Sequence, residues 1–303
     1  MSIKPAQTQK RILVTGSLGQ IGTELVSRLR KAYGPENVIA SDIKKPSKNH
    51  FSIDGPFEYG DVTNIDTLAQ LIVKHNIDTV FHLATVLSAL GEKMPDVALK
   101  VNATGIQNVL ELSKSHKFQV IAPSTIAAFG PQTPKEQTPD ITVQRPTTIY
   151  GVTKVYTELL GEYYQKRFGV DFRSLRLPGI ISSEALPGGG TTDYAIEIFY
   201  EALTKGQYTY LSEVPENRLS QRTYNITAMS FTPKELADSI RKVKMPRFSI
   251  SYNPDFRQKI ADTWPKSIDD SIARRDWKWR PDYALDEMVK DMFEKLEPKV
   301  KKN

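Results

Sequence analysis

Two rhythms of apolar residues alternate along the first half of the chain. Arg11–Thr15, Val38–Ser41, Thr79–Leu83, Gln119–Ala122 and Asp171–Leu175 are short enough to be strands. The first of them, RILVT, is a nearly continuous apolar run that ends in glycines, as a buried strand does. Between these stretches, Ile21–Tyr33, Ile65–His75, Pro95–His116 and Tyr150–Phe168 have helical apolar spacing; Leu25, Leu29 and Ala32 share one side of the first. Strands alternating with helices of this length predict a parallel sheet with helices on both faces.

The pattern changes after Pro178. Leu186-Pro-Gly-Gly-Gly190 is loop-forming, and short mixed elements follow it. Ser230-Phe-Thr-Pro-Lys-Glu235 opens a helix, with Thr232 as cap, Pro233 in the first turn and Glu235 completing a capping box. Trp277-Lys-Trp279-Arg-Pro and Leu285–Leu296 read as a closing turn and helix. The expected fold class is α/β, a Rossmann-type doubly wound parallel sheet with a smaller C-terminal α/β substrate lobe. Residues 1–180 form the nucleotide-binding domain and 181–303 an interleaved lobe over the carboxyl ends of the strands, where such sheets bind ligands.

The chain has 303 residues, 39% of them hydrophobic, enough for one large domain or two interleaved ones. A net charge of +6 permits acidic small partners such as a dinucleotide or a carboxylate. The lysines are scattered apart from Lys44-Lys45 and a C-terminal cluster, which reads as solvated surface and not a nucleic-acid patch. With no cysteine, disulfides, iron–sulfur clusters, thiolate zinc and a cysteine nucleophile are excluded. His50, His75, His82 and His116 lack close metal-ligand spacing, which argues against a zinc-dependent dehydrogenase. No apolar run is long enough to cross a membrane, and the residues before the first strand are too few for a signal peptide. They are basic and free of acids, which leaves a trimmed organelle presequence open.

Thr15-Gly16-Ser-Leu-Gly19-Gln-Ile-Gly22 lies between the first strand and the first helix. Glycines at 16, 19 and 22 suit a tight turn, close approach of a pyrophosphate and close helix–strand packing. The helix amino terminus offers free N–H groups to phosphates. Asp42, at the end of the second strand, can accept from both ribose hydroxyls and would repel a 2′-phosphate, favouring NAD over NADP. Asp61-Val62 follows a third strand and either meets the adenine edge or caps a loop. His82 reads as a hydrogen-bonding residue at a strand end.

Tyr150-Gly-Val-Thr-Lys154 places a phenol and an ammonium four residues apart, on one helix face. An ammonium held there favours the phenolate and makes the tyrosine an acid/base for an alcohol proton. Ser124-Thr125 precedes it. Together with the glycine loop these residues point to an alcohol/ketone oxidoreductase.

GSLGQIG, Asp42, Asp61-Val62, HLAT, Asn102, PST and YGVTK in this order resemble the extended short-chain dehydrogenase/reductases. Longer strings, PSTIAAFG (123–130), YGVTKVYTELLGEYYQKRFGVDFRSLRLPGII (150–181), LPGGGTTDYA (186–195), YNITAMSFTP (224–233), IADTWP (260–265) and DDSIARRDWKW (269–279), resemble the L-threonine 3-dehydrogenases of that superfamily.

The resemblance implies oxidation of L-threonine at C3 to L-2-amino-3-oxobutyrate. Tyr150 would be the general base, Lys154 would stabilise its phenolate and hold the nicotinamide ribose, and Thr125 would bond the reacting oxygen, with Ser124 as its fallback. It implies NAD held by Gly16, Gly19, Gln20, Ile21, Gly22, Asp42, Asp61, Val62, Leu83, Ala84, Asn102, Tyr150 and Lys154. Ser88, Thr125, Tyr150, Thr192 and Asp193 would contact the substrate. Asp193 is either the ammonium's partner or a helix cap. Arg176 reads as a strand-end anchor before a carboxylate binder, Trp264, Trp277 and Trp279 as packing residues, and Asp269-Asp270 as a helix-start cap.

Between Tyr208-Thr-Tyr-Leu211 and Val214-Pro-Glu-Asn-Arg218 the chain is short of a segment this family carries, which would weaken turnover while sparing NAD binding. The resemblance also implies a homodimer built on the helix of Tyr150 and the one near 105–116, and a cytoplasmic or mitochondrial location. Two alternatives stay open: a nucleotide-sugar epimerase or dehydratase, and an NAD-binding scaffold with weakened activity.

Overall fold

The computed structural model describes residues 10–46, 54–180, 216–252 and 255–300. Among them eight strands form one parallel sheet: β1 (Ile12–Thr15), β2 (Val38–Asp42), β3 (Phe57–Tyr59), β4 (Thr79–His82), β5 (Gln119–Ile121), β6 (Ser124–Thr125), β7 (Phe172–Leu177) and β8 (Thr223–Asn225). Their order is β3-β2-β1-β4-β5-β7, with β6 and β8 also paired to β7. The order reverses between β1 and β4, and such a switch point opens a crevice at the carboxyl ends of the strands.

Alternation along the strands divides the core. Leu13, Ile39, Val80 and Val120 face α2 (Ile65–His75), α5 (Gly105–His116) and α6 (Ile149–Phe168). Their neighbours Ile12, Val14, Val38, Ala40, Phe81 and Ile121 face the other way, onto Val26 and Leu29 of α1 (Gln20–Tyr33). A residue period of two thus gives the sheet two apolar faces, each covered by helices.

Three features depart from the sequence reading. The expected helix over Pro95–His116 is not uniform: α4 (Pro95–Leu99) passes through a π-helical turn, Lys100–Thr104, before α5. Asn102 sits in that turn, and its side chain is captured by the Val86 backbone and the Thr153 hydroxyl. A six-residue helix, α3 (Ser88–Lys93), precedes α4. β5 and β6 lie along the same side of β7 in one register, interrupted around Pro123, which has no N–H to donate. The interruption carries Ser124 and Thr125 to the carboxyl edge.

α6 is fixed at both ends, by the Thr148 hydroxyl accepting from Gly151 N and by a left-handed Gly169 at its C-cap. At Gly161 it lies on β7 so closely that a Cβ would stand 2.2 Å from the Phe172 ring. No side chain fits there.

Beyond the undescribed stretch the chain returns as β8 to the same sheet, so the two parts share it. Tyr224 of β8 packs edge-on against Trp277 of α9 (Ser271–Trp277), with ring centres 6.2 Å apart. α7 (Pro233–Val243) starts with the expected Thr232/Glu235 capping box. Its Leu236 and Ile240 pack on Val289, Met292 and Leu296 of α10 (Leu285–Val300). No helix among the described residues is long and apolar enough to cross a membrane.

Candidate active site

A cleft with about 1020 Å³ of empty space, open to solvent, lies at the carboxyl ends of the central strands. One end is lined by Gly16 and by Gly19, Gln20, Ile21 and Gly22, the other by Ser88, Thr125, Tyr150, Lys154 and Trp264.

The glycine end is built for an anion. Gly16 has φ +69°, and a Cβ on it would meet Ala84 N at 2.6 Å, so the turn requires glycine. The N-cap of α1, Gly19, offers no side-chain cap, and the first turn holds no acid. Its first N–H groups therefore face the cleft without intrahelical partners. Asp42, at the end of β2, is not itself in the cleft lining and braces the glycine loop behind it: its two oxygens accept from Leu18 N and Lys44 N, each at 3.0 Å. Each keeps a lone pair for a ribose hydroxyl. Ser17 Oγ in the loop is buried with no partner among the described residues. Glycine cradle, uncapped helix start and strand-end carboxylate fit a dinucleotide.

Other positions expected to touch the cofactor are placed differently. Val62 is a core residue, and Asp61 Oδ1 accepts from Thr63 N and Thr63 Oγ1, so it closes a local turn. Asn102 is buried and spends its amide on the loop that carries Val86. None of the three lines the cleft, and Asn102 acts by fixing a loop that does. Gln20 reaches across the cleft to Ile180 O at 2.8 Å. Leu83 lines it, and Ala84 backs Gly16. His82 is buried against Thr15 Oγ1 at 3.0 Å and held neutral, its pKa pushed down to about 3 by burial and by Lys154.

Tyr150, Lys154 and Glu158 occupy one stripe of α6, four residues apart. Lys154 Nζ donates to Pro123 O at 2.7 Å and stands 5.6 Å from the centre of the Tyr150 ring. Burial pushes the ammonium down to about 8, against the pull of Glu158. Burial also pushes the Tyr150 phenol up to about 12, against its hydrogen bond with Thr125. The sequence argument expected Lys154 to draw this phenol below its ordinary value. The protein alone shows the reverse, because desolvation outweighs an ammonium whose bonded partner is a carbonyl. Thr125 Oγ1 accepts from Ala127 N at 3.1 Å, which leaves its proton to donate toward Tyr150 or a ligand.

Glu158 escaped sequence reasoning, although its i+4 spacing from Lys154 was visible. It is 1% exposed. It accepts from Arg176 Nε at 2.9 Å and Nη2 at 2.7 Å, from Gln144 Nε2 at 2.7 Å, and from the Ser124 hydroxyl. Ser124 lines the cleft, but its hydroxyl is spent on Glu158, and Arg176 is an anchor. Ser88 opens α3 and is buried at the cleft wall. Trp277 and Trp279 are packing residues, whereas Trp264 lines the cleft. Asp269 caps Ser271 N, and Asp270 binds Arg274 and Trp279 Nε1. Thr192, Asp193 and the shortened stretch near 211–214 lie outside the described residues.

Residues 12–224 match the NAD dependent epimerase/dehydratase family. The chain is 48% identical over 308 residues to the mitochondrial L-threonine 3-dehydrogenase of Bos taurus, spanning 94% of this chain and 82% of the bovine one. That alignment is longer than the 303 residues of this chain, so the bovine protein carries positions this chain lacks. L-threonine dehydrogenase from Phytophthora infestans superposes with a TM-score of 0.89 at 56% identity, covering 96% of this chain and 100% of its own. A monomeric L-threonine 3-dehydrogenase from a metagenome superposes at 0.87 and 40% identity, covering 95% and 99%. With its glycine cradle, parallel sheet and Tyr150–Lys154 face, the chain belongs to the NAD dependent epimerase/dehydratase family.

Proposed function

We propose that the protein oxidises L-threonine at C3 to L-2-amino-3-oxobutyrate, with NAD as cofactor. The observation that carries this reading is the convergence of Thr125, Tyr150 and Lys154 on one cleft whose other end is the glycine cradle. The high identity to L-threonine dehydrogenases supports the choice of substrate.

When bound, NAD supplies the acceptor for the hydride that leaves C3. Tyr150 takes the proton of the C3 hydroxyl, so the alcohol loses a proton to the phenolate and a hydride from carbon. Thr125, its oxygen already occupied by Ala127 N, donates to the same hydroxyl oxygen and orients it. Lys154 holds positive charge beside the ring and favours the phenolate. Burial makes each of these interactions stronger than it would be in water.

NADH formation with L-threonine, followed by its absorbance, tests the reading, with conversion of UDP-glucose to its C4 epimer assayed chromatographically in parallel; epimer formation without NADH from threonine would replace it by the epimerase class. In Tyr150→Phe the expected loss of turnover is about 10²–10⁴-fold. Calorimetry on that variant should show NAD affinity unchanged within about twofold, the phenol contributing little to ground-state binding.

The pH profile follows from the two shifted groups. The phenolate fraction grows tenfold per pH unit below its pKa, so oxidation rises with pH while Lys154 is charged. It levels off above about 8, where Lys154 loses its proton. In Lys154→Met the cation is absent at every pH, and the rising limb moves roughly 1–3 units more alkaline. A profile that keeps its position would remove Lys154 from this role.

We further propose a homodimer through the outer face of α6. Val152, Tyr156, Leu159 and Tyr163 are exposed there at helical spacing, opposite the stripe of Tyr150. Leu90 of α3, Val97 and Leu99 of α4, and Met94 between the two helices extend the apolar surface. Of the expected pairing this keeps the helix of Tyr150 and leaves out 105–116, where no large apolar side chain is exposed. Light scattering of the purified chain is expected to give twice the monomer mass, and Leu159→Glu to halve it; a monomeric wild type would contradict the proposal.

A further inference from the structure

Resting on the substrate reading above, we propose that Trp264 sets the size of the side group the cleft accepts, and that Lys135 is the residue that positions it. Trp264 is 9% exposed and lines the cleft with Ser88, Thr125 and Tyr150. It lies beyond α8 (Phe256–Ala261), in a stretch outside helix and strand. What holds that stretch is an ammonium. Lys135 Nζ donates to Thr263 O at 2.6 Å, Trp264 O at 3.1 Å and Asp262 O at 3.3 Å. Three N–H groups meet three consecutive carbonyls, so the donor capacity of the ammonium is fully used.

Lys135 belongs to the connection that leaves the Thr125 turn and enters α6 at Thr148. The backbone of this connection is stitched to the same segment: Lys266 N to Lys135 O at 2.9 Å, Thr138 N to Ser267 O at 3.1 Å, and Asp269 N to Thr138 O at 2.9 Å. On its far side, Lys93 of α3 lies 5.9 Å from the centre of the Phe256 ring, which puts α8 beside the helix that begins with Ser88. The indole is therefore registered against the carriers of Thr125, Tyr150 and Ser88 together. A flat apolar wall so held leaves room for the methyl group of a short 2-amino-3-hydroxy acid. It excludes longer side groups, and an apolar wall discriminates a methylene by about 10–200-fold.

Steady-state kinetics with saturating NAD tests this on L-threonine and on the one-carbon-longer L-3-hydroxynorvaline. In Trp264→Ala the ratio of kcat/KM for the longer substrate over threonine is expected to rise at least about tenfold. NADH affinity should stay within about twofold. Lys135→Met should move the ratio in the same direction through KM more than kcat, and Lys135→Arg, which keeps the charge, should return it toward wild type. Trp264→Phe gives a folded comparison if the alanine variant is unstable. Threonine should also change tryptophan emission of the NADH complex in wild type and in Trp279→Phe, and not in Trp264→Phe. A ratio unchanged in every folded Trp264 variant overturns the proposal. Wild type that shows the emission change without turnover keeps the assignment of Trp264 and sinks the reaction; neither signal sinks both.

Discussion

A buried carboxylate on α6 is the point to which the parts of the cleft are tied. Glu158 and Arg176 are 1% and 5% exposed and meet through two hydrogen bonds of 2.9 and 2.7 Å. The same carboxylate takes the Ser124 hydroxyl, one residue before Thr125, and lies two helical turns from Tyr150. Arg176 continues to Asp140 O and to Asn225 Oδ1, and Asn225 Nδ2 reaches Thr138 O and Asp269 O. One ionic centre therefore joins α6, β6, β7, β8 and the connection before α9. Such a pair adds little net stability over apolar residues of equal size, and losing one partner costs about 3–5 kcal/mol. We assign its use to register: it fixes which residue of α6 faces Thr125.

Around that anchor the reacting side chains are buried, and burial sets their chemistry. Tyr150 at about 12 and Lys154 at about 8 are each pushed toward the neutral form. Asp140, buried by the same packing, is pushed up to about 6. A phenol kept protonated at rest does not act as a base on arbitrary alcohols. It becomes one when charges and donors assembled in the cleft favour the phenolate, which confines proton transfer to the loaded site.

Much of this was legible in the sequence, for local reasons. The apolar strands, the glycine turn at Gly16, the Thr232 cap and the Tyr150–Lys154 face each follow from periodicity or from backbone sterics. What escaped was long-range. Glu158 reads as one more acid on a charged helix until Arg176, eighteen residues on, folds back against it. β8 is three residues long and forms only because β7 offers an edge. The π-helical turn at Lys100–Thr104 holds Asn102 against Val86, a partner no local signal names, and Trp264 looks like any core tryptophan until the fold sets it in the cleft wall beside the carbonyls that Lys135 binds. The tyrosine's raised proton affinity is hidden for a related reason, since four-residue spacing gives proximity and says nothing of desolvation.

The most direct test of the ionic centre is a double-mutant cycle by urea denaturation on wild type, Glu158→Met, Arg176→Met and the double variant. Each single change leaves a buried charge without its partner, and a loss of about 3–5 kcal/mol is expected. The double variant should recover much of that loss, giving a coupling of several kcal/mol between the two positions. Losses that simply add would mean the two side chains act independently, and would contradict the view that their pairing registers α6 against the sheet.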